Sequence, residues 1–180
     1  MTGLLAFSRL IDAISTAFGK VAEYLVLACC LISAGNAVVR KVYPPLTSNA
    51  WLEIQWYMFG FIVLLGAAYT LKNNEHVRVD LIYGAVSDRK RLWIDIFGII
   101  FFLLPFATYA GWISWPMFWS KLMSGEMSGN AGGLIRWPVW LTITGGFWLL
   151  ALQAVSELIK RIAALTGAIS LETTYEKPLQ

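Results

Sequence analysis

WLEIQWYMFGFIVLLGAAYTL, residues 51 to 71, is the stretch that decides the fold. A helix of that length rises about 30 Å, the thickness of a bilayer's hydrocarbon core. Past Glu53 it carries no charge, and Trp51 and Trp56 stand near its start, where indole rings favour the headgroup boundary. Gly60, Gly66, Ala67 and Ala68 give it small surfaces for close helix contact.

Three similar stretches lie around it. A span over 21–39 ends at Arg40 and Lys41, and Pro44-Pro45 opens a short loop that Ser48 or Asn49 closes as a helix cap. A third span over 92–115 starts after Ser87, a capping residue, with Pro105 predicting a kink and Pro116 its end. The fourth, 137–158, carries Pro138 in its first turn, where a missing N–H costs little, and Gly145 and Gly146 as further contact points. The fold class is an all-α integral membrane protein with four transmembrane helices, forming a single membrane domain over 1–180.

Two flanking segments read as helices lying in the membrane interface. Residues 4–18 place Leu4, Phe7, Leu10, Ile11, Ile14 and Phe18 on one side, with Ser8, Arg9, Asp12, Ser15 and Thr16 on the other. Arg9 and Asp12 break the pattern of a cleaved signal peptide. The segment 72–91 is polar and contains a short amphipathic stretch that Asp80 caps, with Leu81, Ile82, Ala85 and Val86 on one face. The stretch 116–136 reads as a loop, and 162–180 as a polar tail.

Orientation follows from the basic residues. Ten of the 14 Lys and Arg fall in the N-terminal segment, the 72–91 loop and the tail, which places both termini inside. The seven residues Trp51, Trp56, Trp112, Trp115, Trp119, Trp137 and Trp140 then form one aromatic belt at the outer surface.

The composition excludes several functions. A net charge of +3 is scattered over helix ends and interleaved with acids, so no nucleic-acid partner is expected. Cys29 and Cys30 sit side by side in an apolar span as packing residues. The one histidine, His76, has no Cys or His at ligand spacing, and no histidine lies in a span to hold haem. No catalytic residue, metal ligand or cofactor is expected, and the chain does not read as an enzyme.

The remaining charges stand near helix ends: Glu23, Glu53, Asp95, Arg136 and Glu157. Glu157 has Arg161 four residues on, and Asp95 has Arg91 one turn back. Glu53 lacks such a neighbour, which points to Gln55, another helix or another protein. The segment Glu75-His76-Val77-Arg78-Val79-Asp80 is the densest run of charge, and Arg78 has the chemistry to clamp a carboxylate or a lipid phosphate.

These residues resemble a known family, the small membrane (Q) subunit of tripartite ATP-independent periplasmic (TRAP) transporters, of the DctQ type. The resemblance rests on Trp51 to Phe59, on His76-Val77-Arg78-Val79-Asp80, and on Gly133-Leu134-Ile135-Arg136-Trp137-Pro138, and covers roughly residues 8 to 162. It implies a non-catalytic subunit in the bacterial inner membrane, with 116–136 on the periplasmic side. It further implies a large membrane partner, the M subunit, that carries substrate and sodium, and a periplasmic substrate-binding protein. The imported substrate would be an organic acid such as a dicarboxylate, a sialic acid or another carboxylate.

On this reading Glu53, Gln55, Trp56, His76, Arg78 and Asp80 are the candidate subunit-interface or structural residues. Arg9, Trp51, Trp93 and Trp137 are the candidate anchors to membrane lipids. Two other classes remain open, a membrane anchor of a redox complex and a self-assembling four-helix channel. Colour from haem or flavin would mark the first, and conductance of the isolated protein the second.

Overall fold

The computed structural model describes residues 2–46, 48–75 and 86–169. It is all-helical, about 85% helix, with no strand among the described residues. Helix α1 spans Thr2–Val42, α2 Asn49–Lys72, α3 Asp88–Ser124 and α4 Trp137–Leu165. All four are long and apolar enough to cross a membrane.

Helix α4 is the axis of the bundle and packs against α1, α2 and α3, while α2 also packs along α1. In its most apolar window 39% of α4 is buried, against 6% for α1. Two small apolar cores lie along α4. Leu65 and Ala68 of α2 meet Leu149, with Phe18 and Phe61 packed against them. Leu71 and Ile99 meet Ala154, flanked by Leu103, Leu104 and Leu158.

Helix α2 begins as its sequence predicts. Ser48 is the N-cap, extended at φ −126° and ψ 147°, and its hydroxyl accepts from the Ala50 N–H at 3.2 Å. Ser87 takes the same position before α3, but its side chain makes no capping bond; its carbonyl instead accepts from Lys90 and Arg91.

Helix α1 differs from the expected pair of segments. The structure joins 4–18 and 21–39 into one 41-residue helix, about 60 Å long. Gly19, the weak point between them, is used for contact: a Cβ there would lie 2.2 Å from the Tyr69 ring of α2. The helix also turns its polar side inward. Ser8 and Ser15 are buried, Asp12 and Thr16 are half-buried, and Leu4, Phe7, Leu10 and Ile14 are exposed. The amphipathic pattern alone predicts water against the polar face; in the bundle that face meets a polar strip of α4.

Pro116 does not end α3, which continues to Ser124. A proline costs a transmembrane helix one hydrogen bond and a ring clash, both of which local adjustment accommodates. The helix stops where Gly125 takes the left-handed conformation, φ 60°. Helix α4 likewise runs past 158 to Leu165, into the segment expected to be tail. The expected interfacial helix in 72–91 falls largely on 76–85, outside the described residues.

Candidate functional site

At one end of the bundle, α2 holds a folded loop. Asn49, Glu53 and Tyr57 recur every four residues and therefore share one face of the helix. The Asn49 amide donates to Ala131 O at 3.2 Å and the Tyr57 hydroxyl to Ile135 O at 2.9 Å. Between them, Glu53 is only 4% exposed. Its carboxylate accepts from the Leu134 N–H at 2.7 Å, from the Asn130 amide at 2.8 Å and from the Ser128 hydroxyl.

The loop that Glu53 receives is itself ordered. Its backbone crosses over, with Ser128 N–H to Leu134 O at 2.8 Å and Arg136 N–H to Glu126 O at 2.9 Å. Glu126 bridges two cations, accepting from Arg136 at 2.7 Å and from Lys121. The Lys121 ammonium first, and the Arg136 guanidinium with it, hold the Glu126 carboxyl below its ordinary value, and Glu126 holds Arg136 above its own. Beside the loop, a cleft of about 450 Å³ runs between Trp56, Met117, Trp140 and Ile143.

At the other end a second polar cluster fastens α1 to α4. Gln153, fully buried, accepts from Ser15 at 2.7 Å and donates to Asp12 at 2.8 Å and to Glu157 at 3.1 Å. The Ser8 and Ser156 hydroxyls are 2.7 Å apart, and Ser156 also donates to Asp12 at 3.0 Å. Lys160 bridges Asp12, at 3.1 Å, and Glu157. Arg161 bonds Glu157, as its four-residue spacing predicts, and donates through Nε to Asp95 of α3 at 3.0 Å. Lys72, at the end of α2, donates to Thr16 at 2.6 Å.

The expected site residues divide accordingly. Glu53 is in the loop clamp, its carboxylate occupied within the chain. Gln55 donates back to Trp51 O at 2.9 Å, and Trp56 is exposed at the cleft. Arg9, Trp51 and Trp93 are exposed, and Trp137 is half-buried at the start of α4. His76, Arg78 and Asp80 lie outside the described residues. Sequence reading missed Asn49, Tyr57, Ser128 and Asn130 at one end, and Gln153, Ser156 and Lys160 at the other. The four-residue spacing of polar residues on α2, and the polar strip on α4, were the available signals.

Chemically, both clusters close on themselves. The carboxylates of the two clusters, Glu53 and Glu126 at one end and Asp12, Asp95 and Glu157 at the other, accept from donors of the same chain, and among the described residues no group of three His, Cys, Asp or Glu could hold a metal ion. Four membrane-length helices, with polar contacts at both ends of the bundle, define a multi-pass membrane protein. Residues 29–164 match the family model of the DctQ component of tripartite ATP-independent periplasmic transporters, and the chain belongs to that family of small transporter membrane subunits. Neither the curated proteins nor the solved structures gave a match.

Proposed function

We propose that the chain is the fixed scaffold of a sodium-coupled importer of organic acids, anchoring a large M subunit that moves the substrate. A periplasmic binding protein delivers that substrate, a dicarboxylate, a sialic acid or another carboxylate. The observation that carries the reading is the distribution of charge. Asp, Glu, Lys and Arg are absent from 54–71 of α2, 96–120 of α3 and 137–156 of α4, whereas both ends are cross-linked by the clusters above. An ion or substrate carrier needs binding groups near the midplane. A frame needs rigid ends and an apolar flank, which this bundle has.

Both termini face the cytoplasm of a cell with an inner membrane. Contacts of Asp12 with Lys160, Thr16 with Lys72 and Asp95 with Arg161 gather the basic ends of four helices on one side, as the positive-inside rule requires of the cytoplasmic face. The Glu53 clamp and its loop then face the periplasm, where the binding protein docks. Arg9, Trp51, Trp93 and Trp137 contact lipid headgroups, and Arg78 of the inner loop takes part in the subunit contact with His76 and Asp80.

Extraction in mild detergent tests this. The chain is expected to co-purify with a membrane protein much larger than itself; recovery of the chain alone, from cells that express the candidate partner, contradicts the proposal.

A further inference from the structure

Helix α3 changes register part-way along its span. From Ile99 to Leu103 it takes a π turn, in which the Leu104 N–H donates to Ile99 O, five residues back, rather than to Ile100 O. The next residue is Pro105, which has no N–H. The Ile100 carbonyl therefore has no helical donor at the α spacing, where Leu104 is committed elsewhere, nor at the π spacing, where the proline stands. The nearby Thr108 hydroxyl donates elsewhere, to Leu104 O at 2.6 Å and to Pro105 O at 3.2 Å.

The same turn shapes the surface around that carbonyl. An α-helix stacks residue i+4 over residue i; the extra residue of a π turn brings i+5 over it as well. The Phe97 ring accordingly lies 4.6 Å from Phe101 and 6.0 Å from Phe102, centroid to centroid. Ile99 is buried in the core, while Phe101 and Phe102 are 62% and 67% exposed, so the aromatic side of the turn faces outward.

Depth selects what can cover it. Ile100 lies five residues, about 7 Å, past Asp95 and inside the uncharged 96–120 stretch of α3, within the hydrocarbon layer. Lipid tails have no donor, and headgroups and water stay outside. A donor at this depth comes from a protein helix carrying Ser, Thr, Asn or Trp.

We infer that the π turn at Ile99–Leu103 is a docking point for a transmembrane helix of the large subunit, which donates a hydroxyl, amide or indole N–H to Ile100 O beside the Phe101 and Phe102 rings. This rests on the scaffold reading above. Pro105 has a function in it: by withholding its N–H it keeps the acceptor open.

Two measurements on the co-expressed complex test the inference. Benzoylphenylalanine at Phe101 or Phe102 is expected to give, on illumination, an adduct with the large subunit. Pro105→Ala restores the missing N–H, which can then donate to Ile100 O at the π spacing, and is expected to leave the isolated subunit's melting unchanged or raised. Retention of the large subunit should meanwhile fall about three- to tenfold, the value of one hydrogen bond. Adducts with lipid or a second copy only, or full retention by Pro105→Ala, overturn the inference while the large subunit still co-purifies. Absence of the large subunit from the wild-type preparation overturns both the inference and the scaffold reading.

Discussion

The Leu134 backbone N–H donates to the Glu53 carboxylate at 2.7 Å, across 81 residues of sequence. One buried side chain on α2 thereby fixes the shape of the loop between α3 and α4. With the Ser128 hydroxyl and the Asn130 amide it receives three donors, within the acceptor capacity of one carboxylate.

Glu53→Gln tests that clamp. The amide NH2 would face a donor, and at least one of the three bonds is lost. Trypsin is expected to cut at Arg136 several-fold faster in the variant, with membrane insertion unchanged. Equal cleavage of variant and wild type would show that the loop holds itself.

Gln153→Leu tests the opposite end. The substitution leaves Ser15 without an acceptor and takes one donor from each of Asp12 and Glu157. Buried polar groups left unpaired cost about 1–3 kcal/mol, so thermal unfolding in detergent should shift downward by several degrees. The first turns of α1 should become open to protease.

Adjacent glycines on α4 are expected to respond differently. A Cβ at Gly146 would lie 2.7 Å from the Leu64 Cβ and 3.0 Å from its backbone, whereas at Gly145 it meets nothing within 4 Å. Gly146→Ala should destabilise by about 1–3 kcal/mol through overpacking, and Gly145→Ala should stay within about 0.5 kcal/mol. Matched melting curves of the two variants would remove the α2 to α4 contact from the account.

Glu126 gives the loop a pH dependence. Lys121 and Arg136 hold its carboxyl below the ordinary 4.5. A carboxylate with a lowered folded value contributes stability that is fully present above 4.5 and is lost as pH falls through the lowered value. Tryptophan fluorescence at the head of α4 should therefore be constant above about pH 5 and change in acid. Glu126→Gln should abolish the acid transition; an identical transition in the variant assigns it to another group.

Much of the fold was legible because hydrocarbon imposes a simple rule. Spans of about 30 Å must be apolar, and every one of the four appears as such. Local chemistry was legible too, as in the Ser48 cap and the Glu157 to Arg161 pair. The errors arose where the surroundings decide. Ser8 and Ser15 look like residues for water until α4 presents Gln153 and Ser156 to them. Pro116 looks like a stop until one recognises that Gly125, in the left-handed region, supplies it. Gly145 and Gly146 are identical in sequence terms, and only the path of α2 distinguishes them. Glu53 was legible as unusual, since it had no neighbour at helical spacing. Its partners were not, because Ser128, Asn130 and Leu134 lie 75 or more residues away in a Gly-rich loop with no pattern of its own.

The central claim is that this subunit supports transport without carrying substrate. Proteoliposomes holding the large subunit, with and without this chain, measure it directly as sodium-driven uptake of a labelled organic acid in the presence of the binding protein. Uptake is expected only with both membrane subunits, and none with this chain alone. Uptake or ion conductance by this chain alone would contradict the claim.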